Sequence, residues 1–260
     1  MSHFERVNEV YPELPHMTHR QGTFIRDFIV QHDSRNVLEI GFAHGKSSAY
    51  IAAVLEDLGR GELVTIDNER ARKREPNIET VLETLGLSHR VKPIFARRSH
   101  TWEMAKMIQA EPRPQFDLCY FDGGHTWDDT GFGFVLVDML LRPGGWIIFD
   151  DLNWTFEAAM RDVPKVPAAW RKASEDERAA AGVGMVFDLL VPHMGYTDQH
   201  TVHDGWWGIA RKPLDRQAAA AFRRRPSSPG IVDRLRRRIA LRTRLRSLAD
   251  RMNARSRSSE

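Results

Sequence analysis

Residues 36–47 read NVLEIGFAHGKS, and the fold is decided there. Asn36-VLEIG is a short apolar run that ends in glycine, the pattern of a buried strand. The segment SSAYIAAVLEDLG that follows carries apolar residues at helical spacing and closes on Gly59. Strand, glycine turn and helix open a βαβ unit, and the pattern then repeats. Glu62-LVTID, Arg90-VKPIFA, FDLCYFD (116–122) and GGWIIFDD (144–151) read as further strands. ETVLETLG, residues 101–110 and DTGFGFVLVDMLL read as the helices between them. Past Pro167, WRKASEDERAAAG reads as a helix, and GMVFDLL and GWWGIARK as two closing strands. Upstream, HRQGTFIRDFIVQH makes residues 1–34 a helical lead-in. The expected fold is α/β, a doubly wound, Rossmann-like, mostly parallel sheet with one antiparallel closing strand. Residues 1–34 would form a cap, 35–212 the main domain, 213–229 a linker and 230–260 a basic helix and tail.

At 260 residues, 42% hydrophobic and 28% charged, the chain can bury a full core. No apolar run reaches the ~18 residues that a membrane span requires. The opening MSHFERVNEVYPELPHM lacks the apolar centre of a signal peptide, so the expected location is the cytoplasm. Cys119, the single cysteine, falls in a predicted core strand and reads as an inert buried thiol. Charge is uneven. Thirteen arginines face Asp233, Asp250 and Glu260 beyond Phe222, a net of +10 in a chain of net +3, which leaves −7 for residues 1–221. The basic pI therefore describes a tail rather than the body.

The loop after the first strand is neither a dinucleotide fingerprint nor a Walker A loop. Of a GxGxxG pattern only Gly41 and Gly45 remain, and the upstream spacing to Lys46-Ser47 is one residue short. Glycine there still lets the backbone and the helix amides approach a ligand. Glu39 could hold a cationic amino-acid moiety. Asp67, ending the second strand, could bind ribose hydroxyls or simply cap the next turn.

Two acidic clusters end later strands: Asp122-Gly-Gly-His125 and Phe149-Asp150-Asp151. Carboxylates alone suit Mg²⁺, Mn²⁺ or Ca²⁺ and not zinc, although strand-end aspartates also cap helices without any metal. Adjacent aspartates repel unless a cation or donors compensate. An imidazole, of pKa about 6.5, beside such a site can take a proton from a metal-bound hydroxyl. No combined histidine and carboxylate ligand group has convincing spacing, which disfavours a redox metal enzyme.

ExGxxxG after strand one, an acid ending strand two, FDGxH and GGxxxFDD together resemble the class I S-adenosylmethionine-dependent methyltransferases. Within them the chain is similar to the metal-dependent O-methyltransferases, over roughly residues 15–212. Catechol-type members carry a lysine three residues after the first aspartate and an Asp-Asn pair at the later strand end. His125 and Asp150-Asp151 instead resemble the sugar-modifying enzymes of macrolide and cephalosporin pathways.

The resemblance implies that Glu39, Gly41 and Ser47 contact the methionine portion of the cofactor, Asp67 its ribose and Ser99 its adenine, with Gly45 a further cofactor contact and Met17 and Thr18 lying over it. It implies Asp122, Asp150 and Asp151 as Mg²⁺ ligands, Asp122 also reaching the cofactor, and His125 as the base. Asn153 is a further ligand or substrate contact, and Trp154 a substrate contact. Trp206 and Trp207 could stack on a sugar or pack in the core, and His193, His200 and His203 read as structural or substrate contacts.

The expected activity is methyl transfer to a sugar hydroxyl by a homodimer. The alternatives are a phenol or catechol acceptor, or a non-catalytic cofactor-binding or nucleic-acid-binding protein that works through its tail. Residues 230–252 place Ile231, Leu235, Ile239, Leu241, Leu245, Leu248 and Met252 on a stripe among arginines. That segment could dock on the body, contact an acidic membrane surface or meet nucleic acid, the last disfavoured by the lack of interleaved aromatic residues.

Overall fold

Alternating side chains of the central strands feed two cores, one on each face of a seven-stranded sheet. Val37, Leu63, Leu118, Tyr120, Ile148 and Trp207 point to one face; Leu38, Ile40, Cys119, Phe121, Ile147 and Phe149 point to the other. The computed structural model describes residues 1–163 and 166–215. Residues 216–229 of the linker expected at 213–229, and the basic helix and tail expected at 230–260, lie outside the described residues.

The strands are β1 Asn36–Ile40, β2 Glu62–Asn68, β3 Val91–Ala96, β4 Phe116–Phe121, β5 Leu141–Phe149, β6 Thr197–Val202 and β7 Trp207–Arg211. They lie in the order β3-β2-β1-β4-β5-β7-β6. All neighbours are parallel except β7, which runs against both β5 and β6. The expected mostly parallel sheet with one antiparallel strand is what forms.

Helices α1 His3–Val10, α2 His19–Gln31, α3 Lys46–Asp57 and α4 Ile78–Leu85 cover the first face, and α5 His100–Gln109 and α6 Trp127–Leu140 cover the second. Short helices α7 Phe156–Asp162, α8 Ala168–Lys172, α9 Glu175–Ala179, α10 Gly182–Met185 and α11 Val191–His193 follow β5.

Two expectations past Pro167 need correction. GMVFDLL is not a strand: α10, a π-helical turn over Val186–Leu190 and α11 form a continuous helical run. Its β-branched and aromatic residues imitate a buried strand, but Val183, Val186, Phe187 and Val191 are the buried ones, a helical spacing. The partner of β7 is TDQHTV instead, an edge strand whose polar composition hides it. WRKASEDERAAAG is likewise not one helix. Ser174 accepts from the Glu177 amide and Glu177 returns the bond, a capping box that restarts the chain as α9.

The strand order reverses between β1 and β4, so a crevice opens at their carboxyl ends. Backbone bonds bind its loops together: Gly41 N donates to Ile66 O (2.8 Å), Asp122 N to Ile40 O (2.8 Å) and Asp150 N to Phe121 O (3.0 Å). Gly41 has φ +86°, and a Cβ there would stand 1.9 Å from Asp122 O. Gly41→Ala should therefore destabilise the domain by about 2 kcal/mol or more, through backbone strain and separation of the two loops. Chemical denaturation would measure it, and a change within error of zero would show that the loops do not need this contact.

Candidate active site

The crevice encloses about 650 Å³ and is walled from the ends of β1, β2, β3, β4 and β5. Ile40 and Gly41 follow β1, Asp67 and Asn68 close β2, and Arg98, Ser99 and His100 come after β3. Asp122 to His125 follow β4, and Asp150 and Asp151 follow β5. Five carboxylates, those of Asp67, Asp122, Asp129, Asp150 and Asp151, face one arginine, Arg98. Such a lining suits cationic ligands.

At the β1 end, Asp67 Oδ2 accepts from the backbone amides of Phe42 (3.1 Å) and Ala43 (2.8 Å), and its Oδ1 from Asn68 N (2.6 Å). The carboxylate therefore shapes the glycine loop as well as facing the crevice. Gly45, with φ +92°, opens α3 and packs on Ile78.

Glu39 sits behind this wall, wholly buried. Its Oε2 accepts from the hydroxyls of Ser48 and Thr65 (2.5 Å for the latter), while Oε1 has no partner among the described residues. Burial raises its pKa to about 7, against the pull of the Ser47, Ser48 and Thr65 hydroxyls. Ser47 thus stands by Glu39 and does not line the crevice. Ser99 lines it as the cap of α5, accepting from Trp102 N.

At the β4 and β5 ends, Asp122, His125 and Asp151 come together, with one ligand-type atom of each within 4.8 Å of the others. His125 Nε2 is 2.9 Å from Asp151 Oδ2 and 3.8 Å from Asp122 Oδ1. Asp151 reaches this position with φ +58°, and the histidine ring stacks on Trp154 at 4.8 Å. At Gly124 a Cβ would meet Asp129 Oδ2 at 1.6 Å, so any larger residue there would have to displace the Asp129 carboxylate from the crevice wall.

Burial first, then the carboxylates of Asp150 and Asp151, push the Asp122 pKa well up. Asp150 turns inward: Oδ2 accepts from Tyr120 Oη (2.5 Å) and Oδ1 from Asp151 N (2.7 Å), and burial with the Asp151 charge raises its pKa to about 6. Of the three expected ligands, the structure gathers Asp122 and Asp151 around His125, with Asp150 alongside but already bonded. A histidine and carboxylate group not expected from sequence spacing therefore exists. A divalent cation fits this donor set, because it would relieve the mutual repulsion of the acids.

The remaining candidates lie further off. Asn153 donates to Gly205 O (2.9 Å) and Trp154 packs with Phe156 and Trp170, at centroid distances of 5.1 and 5.7 Å. Met17 is buried and Thr18 caps α2, and neither lines the crevice, whereas their neighbours His16 and Gln21 do. Trp207 is core and Trp206 is exposed. His200 bonds the backbone of Asp198, and His203 packs edge-on against Phe24 and Trp207, so both are structural. Cys119 is buried, as expected.

Sequence reasoning missed His16, Asn68, Arg98, His100 and Asp129 as wall residues. Adjacency to Asp67 and Ser99 could have drawn in Asn68, Arg98 and His100. Nothing in the local pattern singles out His16.

A family described as "Methyltransferase domain" matches residues 38–152. That match spans β1 to the end of β5 and so includes both ends of the crevice. No curated protein matches the chain in sequence. Among solved structures, the O-methyltransferase TomG from Streptomyces achromogenes, determined with S-adenosylmethionine, is 22% identical over 82% of this chain and 90% of its own, with a TM-score of 0.56. An O-methyltransferase from Bacillus cereus, in complex with S-adenosylhomocysteine, is 20% identical over 81% and 90%, with a TM-score of 0.54. MycE, a methyltransferase of the mycinamycin biosynthetic pathway in complex with Mg, S-adenosylhomocysteine and mycinamycin VI, is 14% identical over 82% of this chain and 55% of its own, with a TM-score of 0.52. Among the described residues no helix of the domain is long and apolar enough to cross a membrane.

Glu39 makes stability depend on pH. Its folded pKa of about 7 lies above the ordinary 4.5, so its favourable contribution is complete below about pH 4.5 and is lost as pH rises through 7. Glu39→Gln should flatten the fall in Tm between pH 5 and 8 and raise Tm at pH 8. Parallel Tm–pH curves for the two proteins would show that Glu39 does not titrate in this range.

Proposed function

We propose that this domain transfers a methyl group from S-adenosylmethionine to a hydroxyl oxygen of a sugar or glycosylated metabolite, with a divalent metal ion, Mg²⁺ by resemblance, at the acids and His125 as the base. The observation that carries the reading is the meeting of Asp122, Asp151 and His125 in the crevice that the Gly41 loop and Asp67 also line.

The acidic wall suits a sulfonium donor. Asp67 offers acceptor atoms to ribose hydroxyls, and Ser99, with His100 and Arg98 beside it, flanks the far end. When bound, the donor supplies an electrophilic methyl group and the metal ion lowers the pKa of the acceptor hydroxyl. Asp122 and Asp151 would hold the ion, and Asp150, fixed by Tyr120, supports Asp151 from behind. The acceptor oxygen forms the new carbon–oxygen bond, the methyl–sulfur bond breaks, and His125 keeps the released proton. Trp154, stacked on His125, offers a flat apolar face beside the reacting oxygen.

A sugar is favoured over a phenol by His125, which stands where catechol-type enzymes carry lysine. Cytoplasmic location and a homodimeric state belong to the same reading.

The decisive assay presents labelled donor to sugars and to catechols, with and without chelator. Sugar methylation should disappear on chelation and return with Mg²⁺; full activity in excess chelator would remove the metal from the reading. His125→Ala should lower turnover about 10²-fold or more while leaving S-adenosylhomocysteine and metal affinities near the wild-type values. A matching loss of metal affinity would make His125 a ligand, and a preference for catechols would reassign the acceptor.

A further inference from the structure

Among the described residues, Lys46 is the one lysine buried beside the glycine loop. It is 4% exposed, and its Nζ donates to the carbonyls of Pro12 (2.9 Å) and Leu14 (2.6 Å), with no ion pair among the described residues. A buried ammonium needs partners, and these carbonyls belong to a segment more than 30 residues upstream. That segment leads directly to His16, a crevice-wall residue held at φ +75° and stacked on His44 at 5.9 Å. His44 is fixed in turn by its Nδ1 bond to Pro76 O (2.7 Å). The charges of Asp67 and Asp151 both reach the His16 ring, as do those of Arg74 and His44. His16 is thus a crevice-wall residue with carboxylates of both ends of the crevice within electrostatic reach. Left-handed backbone at a bulky residue is costly and persists where surrounding structure enforces it.

We propose that Lys46 is a positioning residue that clamps residues 12–14 so that His16 forms the roof of the crevice between its donor end and its acid end. Lys46 thereby acts on ligand binding without touching the ligand, and His16 is the wall residue through which it acts. The cofactor-binding part rests on the methyl-transfer reading; the clamp itself does not.

Burial, with Arg74 and His44, lowers the His16 pKa below the ordinary histidine range. Its ring titration in the full-length protein, followed by NMR and identified by the signal missing from His16→Asn, reports whether the roof is closed. Asparagine is chosen because it tolerates the left-handed backbone. In Lys46→Met the titration should move up toward that of a free histidine, and in Lys46→Arg it should stay low. An unchanged His16 titration in Lys46→Met overturns the clamp. Lys46→Gln serves the same purpose should the methionine variant fail to fold.

Calorimetry with S-adenosylhomocysteine tests the coupling. Lys46→Met and His16→Asn should each weaken binding about tenfold, and the double variant no more than the weaker single one. Additive losses would overturn action through His16. A wild-type protein that binds no S-adenosylhomocysteine would overturn the methyl-transfer reading, while the titration still decides the clamp.

Discussion

Too much negative charge in too little water is the constraint around which this domain is arranged. Asp122, Asp150 and Asp151 end two neighbouring strands, Glu39 lies one strand away, and Asp67 stands across the crevice. Backbone geometry leaves no freedom to disperse them, because the loops that carry them are bonded to each other and Gly41 touches the Asp122 carbonyl. Each acid therefore finds its own relief. Glu39 shares protons with hydroxyls, Asp150 takes the Tyr120 phenol, Asp67 takes loop amides, and Asp151 pairs with His125. Among the described residues Asp122 has no donor of comparable quality, and burial together with the neighbouring carboxylates pushes its pKa well up. A site so arranged holds either protons or cations, and that alternative joins the fold to its chemistry.

The parallel part of the fold was legible because buried central strands write long apolar runs, and turns at their ends demand glycine or acid. The same rule made the Asp122, His125, Asp150 and Asp151 set visible, since strand ends at a topological switch converge whatever lies between them. What failed was local. GMVFDLL obeys a helical burial pattern that composition alone cannot separate from a strand, and TDQHTV pairs at an edge where four of its six side chains are exposed. The inward turn of Asp150 was beyond sequence as well, because it depends on Tyr120, thirty residues away, pointing to the same place. His16 was invisible for a similar reason: a distant lysine puts it there.

One detail of the glycine loop fixes what the crevice will refuse. In phosphate-binding loops, free backbone amides and an outward lysine together make a positive cradle. Here the amides of Phe42 and Ala43 already bind a carboxylate, and the lysine is turned away to hold two carbonyls. The loop keeps the outline of a nucleotide cradle with its polarity inverted. Unless a cation occupies the acids, the phosphates of a nucleoside diphosphate or triphosphate would meet more carboxylates than cations along this wall, where Arg98 is the one arginine among the described residues. For a positively charged nucleoside the same two side-chain orientations would turn that repulsion into attraction, ahead of any contact with the base.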